Sequence, residues 1–109
     1  MRKSNIFVLI ELSKLTESLT TNLLQCKENL KAQASYFQLI PSKYFSGELN
    51  REWESIYSIV SHKGPRFNER GQIIRNAIAN TIDQMSSQEC LMVSNRIFSL
   101  YEKVKKEFS

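Results

Sequence analysis

Glycine and proline are scarce in this chain of 109 residues, and they are confined to its middle. All three glycines and both prolines lie between residues 41 and 71, as Pro41, Gly47, Gly64, Pro65 and Gly71. Both residue types interrupt helices, so long helical blocks are expected on either side of a punctuated centre. Histidine occurs once, as His62; metal sites in helical bundles need several inward-facing His and carboxylate ligands, and no Glu-x-x-His is present. The two cysteines, Cys26 and Cys90, form neither a CxxC pair nor a zinc spacing. No glycine-rich nucleotide loop is present. The longest apolar run, Ile6 to Ile10, follows Arg2-Lys3 and is ended by Glu11. It is shorter than the roughly 7–15 residues of a secretory core and far from the ~20 residues of a membrane span. Gln25 occupies the position where a lipoprotein box ending in Cys26 needs a small residue. The chain therefore reads as unprocessed, soluble and cytoplasmic, with no membrane partner. Cys26 and Cys90 read as reduced core thiols, since free cysteine packs as a small hydrophobe.

What is present is ordinary for a globular protein: 41% hydrophobic and 24% charged residues, which argues against disorder. The length fits one domain, residues 1–109. A net charge of +4 permits an acidic or nucleic-acid partner and decides neither.

Four blocks carry helical periodicity. In the first, from about Ser4 to Ser35, Val8, Leu12, Leu15, Leu19, Leu23, Cys26, Leu30, Ala34 and Phe37 recur at steps of three and four. This predicts one face of a single long helix. Residues 36–47 follow as a break that is unusually apolar for a loop. The second block opens at Ser46 as N-cap with Glu48 in its first turn. It carries Leu49, Trp53, Ile56, Tyr57 and Val60 and ends at Gly64-Pro65. The third opens near Asn68 or Glu69 and carries Ile73, Ile74, Ala77, Ile78, Ile82 and Met85. The fourth starts on the capping box Ser86-Ser87-Gln88-Glu89 and runs through Cys90, Val93, Ile97, Leu100, Tyr101, Val104 and Phe108. The expected fold class is all-α: a four-helix, bundle-like single domain with a long N-terminal helix and no sheet.

No catalytic constellation emerges. His62 sits at a helix C-terminus, a common place for a cation. Histidine-phosphotransfer domains are bundles of similar length, but two residues separate their histidine from Lys-Gly and the helix continues. In His62-Lys63-Gly64 the spacing is absent and Gly64-Pro65 stops the helix. The Arg-to-His spacing of helical ribonuclease toxins is absent as well, since the nearest upstream arginine is Arg51. The chain is expected not to be an enzyme and to need no cofactor and no metal.

Two surfaces remain. Leu9, Ile10 and Leu24 widen the first block beyond one stripe, and Tyr36, Phe37, Tyr44 and Phe45 crowd the break after it. This apolar surplus points to a protein-binding module, a regulator, adaptor or inhibitor, that self-associates or takes an obligate partner through its first helix. The alternative lies in residues 62–75, where Lys63, Arg66, Arg70 and Arg75 face only Glu69. A basic turn leading into a helix N-terminus suits phosphate, and Gln72, Arg75, Asn76 and Asn80 have the chemistry of a helix–turn–helix reader. That reading makes the chain a nucleic-acid-binding regulator. Its arginines sharing an open face with Lys63 would favour it; carboxylates neutralising them would count against it.

Overall fold

The computed structural model of the chain describes residues 3–109, so Arg2 of the charged start lies outside the described residues. Among the described residues there are six α-helices: α1 (Ile6–Ser18), α2 (Cys26–Ala32), α3 (Tyr36–Leu39), α4 (Gly47–Ser61), α5 (Ala77–Gln84) and α6 (Ser87–Glu107). A short 3-10 turn, Ser42–Tyr44, precedes α4, and a two-stranded antiparallel hairpin, β1 (Arg66–Phe67) and β2 (Ile73–Arg75), separates α4 from α5. The fold is mostly helical, as the periodicity predicts, but the expected four helices without a sheet are corrected to six helices and one two-stranded sheet among the described residues.

The expectation of one long N-terminal helix is corrected. The helical stripe survives, but the helix does not. Leu19 turns to an extended conformation and α2 begins only at Cys26. Threonine and asparagine side chains that compete for the backbone explain the break. Asn29 Oδ1 accepts from the Thr20 N–H at 2.9 Å, and its amide donates to the Ser18 carbonyl at 2.6 Å. Thr20 Oγ1 accepts from the Asn22 N–H, and Asn22 Oδ1 from the Leu24 N–H. Leu19, Cys26 and Leu30 still reach the core across this break, whereas Leu23 and Leu24 are turned to the surface. The longest helix is α6, with 21 residues.

α6 is the element on which the others are laid, packing against α1, α2 and α4. Its stripe of Cys90, Val93, Ile97, Leu100 and Val104 is buried throughout. The capping box forms as its spacing predicts. Ser86 Oγ accepts from the Glu89 N–H at 3.1 Å, and Glu89 Oε1 accepts from the Ser86 N–H at 3.0 Å. The joint with α5 is a tight corner, with Met85 extended and buried between the two helices.

The apolar break after α2 turns inward. Phe37 and Phe45 both stack on Trp53, with ring centroids 5.3 and 5.4 Å from the indole. The Trp53 N–H donates to the Ile40 carbonyl at 2.9 Å. Segment 36–45 is thereby wrapped around a residue of α4. Ser46 caps α4 by position, but its hydroxyl donates to Glu107 at the end of α6 instead of bonding within the helix. The Ser4 N–H donates to the other oxygen of Glu107 at 3.0 Å, and the Ser46 N–H donates to Ser4 Oγ at 3.0 Å. Burial pushes the Glu107 carboxyl up, and the hydrogen bonds from Ser46 and Ser4 outweigh it, holding it below its ordinary value.

Two outcomes follow from this core. Trp53→Ala removes both stacks and leaves the Ile40 carbonyl unpaired, so it should lower unfolding free energy by about 3–5 kcal/mol in a denaturant titration. An unchanged midpoint would show that the stacks carry no stability.

Cys26 and Cys90 are free and fully buried. The Cys26 thiol donates to the Ser87 carbonyl at 3.1 Å, and burial, followed by the nearby Cys26, pushes the Cys90 thiol up. Both should label slowly with a thiol reagent in native protein and quickly once denatured, because only the exposed thiolate reacts. Fast native labelling of either would contradict this packing.

Candidate functional site

The surface feature set apart from the core is the hairpin between α4 and α5. Its sequence dictates its shape. α4 stops where Gly64 takes a positive φ of 66°, and Pro65 follows without an N–H to continue the helix. The base is tied down from α5: the Lys63 N–H donates to the buried Thr81 hydroxyl at 3.0 Å, and the Asn80 amide to the Gly64 carbonyl at 2.9 Å. Asn68 organises the turn. Its Oδ1 accepts from the N–H groups of Arg70 and Gln72, and its own N–H donates to the Gln72 carbonyl. Gly71 closes the turn at φ 77°, a conformation costly for any residue with a Cβ. In the ladder, Arg66 stands opposite Arg75 and Phe67 opposite Ile73, which leaves Ile74 as a bulge.

The expectation of a helix from Asn68 onward is therefore corrected. Ile73 and Ile74 are strand residues, and α5 begins at Ala77 behind Asn76, whose side chain accepts from the Ala79 N–H at 2.8 Å. An αL glycine, a β-branched pair and a capping asparagine in succession outweigh helical spacing. The turn chemistry of Asn68 and Gly71 between Phe67 and the pair Ile73-Ile74 is the signal in the sequence that identifies the hairpin. The predicted helix–turn–helix presentation does not form, since Gln72 and Arg75 lie on the hairpin and Asn76 and Asn80 are occupied by backbone groups.

Three large apolar side chains of the hairpin are uncovered. Phe67, Ile73 and Ile74 are 54%, 62% and 55% exposed. A two-stranded hairpin without a covered face is marginal in water. This one is held by its turn, its base and one ionic junction. At that junction Arg75 Nε donates to Asp83 Oδ2, while Lys31 Nζ donates to Asp83 Oδ1 at 2.6 Å and Lys27 Nζ to the Asp83 carbonyl at 2.8 Å. The hydrogen bonds from Arg75 and then Lys31 hold the Asp83 carboxyl far below the usual carboxylate range. Both cations are raised in turn, chiefly by Asp83.

The five residues of the predicted anion site are thus divided. Arg75 is neutralised by Asp83, and Lys63 lines a cavity at the base of the hairpin together with Glu89. Arg66 and Arg70 are exposed and enter no ion pair among the described residues, and Gln72 is exposed in the turn. Among the described residues none of these arginines pairs with Glu48, Glu52 or Glu54 of α4; Glu52 pairs with Lys103 instead.

The predicted apolar interface is dispersed. Phe37 and Phe45 are corrected from surface to core, because Trp53 draws both rings inward. Tyr36 is half-buried, and Tyr44 is exposed with its ring edge-on to Phe7. Leu9 and Ile10 line an open groove of about 780 Å³ between α1 and α6, shared with Tyr101 and Phe108. Leu24 stands 92% exposed in the turn between α1 and α2. The uncovered hairpin residues Phe67, Ile73 and Ile74 were not anticipated as surface, because helical spacing had assigned the two isoleucines to a buried stripe.

No family model, no curated protein and no solved structure matches this chain. Among the described residues no cluster of three or more His, Cys, Asp or Glu could hold a metal ion, and no helix is long and apolar enough to cross a membrane.

The Asp83 junction gives a pH signature. A carboxylate whose folded value is depressed stabilises above its unfolded value of about 4, and that contribution is lost as pH falls through the folded value. Asp83→Asn should therefore lower the melting temperature most near neutral pH, and the gap to the unaltered protein should narrow in acid. Thermal melts across pH check this; a gap that stays constant in acid would mean that the carboxylate charge contributes nothing.

Proposed function

We propose that this chain is a protein-binding module that acts by docking and carries out no chemistry of its own. The observation that supports this best is the uncovered hairpin. Three apolar side chains more than half exposed on a preorganised element are the raw material of an interface core. The hairpin is held from below by Asp83, Thr81 and Asn80, so its shape does not have to be created on binding. The partner is another protein, met through residues 66–75, and the module acts as a regulator, adaptor or inhibitor of it. Two buried free thiols fit a reducing compartment, which we take to be the cytoplasm. Self-association through the first helix would have to use Ile10 and Leu24, which stay exposed, since Val8, Leu12, Leu15 and Leu19 are buried in the core of one copy.

A second reading, contact with nucleic acid, draws on the free guanidinium groups of Arg66 and Arg70 on either side of Phe67 along the chain. Aromatic and arginine side chains together can hold an unpaired base and its phosphate.

Capture from native extract, with and without nuclease, separates the two readings. The double variant Phe67→Ser, Ile73→Ser should melt close to the unaltered protein, because surface substitutions stay within about 0.5 kcal/mol. It should lose its captured protein by about tenfold or more. Undiminished capture would remove the hairpin from the interface, and release by nuclease would favour the second reading.

A further inference from the structure

We infer that the hairpin docks an acidic segment of its partner protein, one in which carboxylates stand beside apolar side chains; this rests on the docking reading above. The argument is one of charge left unanswered. Arg66 and Arg75 face each other across the ladder, an arrangement of like charges that is unfavourable by itself. Of the carboxylates near the hairpin, Asp83 serves Arg75, and Glu69 in the turn enters no ion pair among the described residues. Arg66 at the base of the hairpin and Arg70 in its turn are left exposed, bracketing the cross-strand pair of Phe67 and Ile73 along the hairpin's length. Guanidinium groups bind carboxylates in bidentate fashion. Side chains alternate along a strand, so Arg66 projects to the face opposite Phe67; a partner with carboxylates beside its apolar residues would cover Phe67 and Ile73 on one face and answer the guanidinium groups at the hairpin's edge and turn.

The other occupants fit less well. A second copy would bring its own Arg66 and Arg70 against this pair, which like-charge repulsion opposes. A nucleic acid would find few cations on the hairpin. Arg75 is engaged by Asp83, Lys63 shares its cavity with Glu89, and Glu69 stands exposed in the same turn. Affinity for a phosphate backbone grows with the number of phosphates neutralised, and so few contribute little. Phosphate would also leave Phe67, Ile73 and Ile74 without apolar contact.

The test is a selection of random linear peptides displayed on phage against the full chain, followed by fluorescence anisotropy with the enriched peptides. Enriched sequences should be rich in Asp and Glu next to apolar residues. They should bind Arg66→Glu, Arg70→Glu about tenfold or more weakly, and exchanging their acidic residues for lysine should restore binding to that variant. Phe67→Ser should weaken them as well. Neutral or basic winners that still need Phe67 would overturn the acidic partner while leaving the docking reading in place. Winners indifferent to Phe67→Ser would overturn both, as would a selection that enriches nothing. Displacement of the peptides by a DNA oligonucleotide, or sedimentation showing dimers that Arg66→Glu, Arg70→Glu alters, would also overturn the acidic-segment inference, in favour of nucleic acid or a second copy.

Discussion

Burial of the apolar stripe of α6 is the constraint from which the rest of the architecture follows. Cys90, Val93, Ile97, Leu100 and Val104 repeat along one side of the longest helix and leave solvent almost completely. An isolated helix gains little from propensity alone and is held by packing of its apolar face. Here α1, α2 and α4 supply that packing. α1 and α2 are cut apart by polar side chains between them, and α2 has only seven residues, so both depend on α6 for their place. The irregular stretch from Tyr36 to Phe45 is fastened one layer further out, through Trp53 of α4.

The hairpin obeys a different rule. It has no apolar support beneath Phe67, Ile73 and Ile74, and its connection to the body is polar: Thr81, Asn80 and Asp83. Asp83 joins β2 to α2 through Arg75 and Lys31, so one carboxylate of α5 fixes the base of the hairpin and the second helix together. The element that presents the candidate interface is thus rigid at its root and uncovered at its surface, the arrangement that lets a docking surface keep its shape before a partner arrives.

Much of this was legible in the sequence where a signal is local. The capping box at Ser86, the stop at Gly64-Pro65 and the burial of Trp53 all follow from residue type and spacing. Periodicity also identified most of the core, including Leu19, Cys26 and Leu30, but it over-read continuity. A line of buried positions at steps of three and four is compatible with a broken path, and Thr20, Asn22 and Asn29 break it through side-chain hydrogen bonds that periodicity does not register. The same error moved Ile73 and Ile74 into a helix, although Asn68 and Gly71 announce a turn. Aromatic density misled in the other direction: Phe37 and Phe45 looked like interface and became core, because only the fold reveals that both rings stack on Trp53. The charges of residues 62–75 were visible as a group. Which of them Asp83 would neutralise depends on α5 folding back beside β2, a long-range outcome that no local pattern encodes.

The carboxylate of Glu107 binds three stretches of chain that are far apart in sequence: the lead into α1 through the Ser4 N–H, the start of α4 through the Ser46 hydroxyl, and its own helix. Helix ends ordinarily fray one by one, each with its own small opening free energy. Here the last turn of α6 cannot loosen without releasing Ser4 and Ser46, so three local openings are merged into one cooperative event. The amide hydrogens of Ser4 and Ser46 should accordingly exchange with solvent on a common clock, set by that last turn and not by their individual exposure.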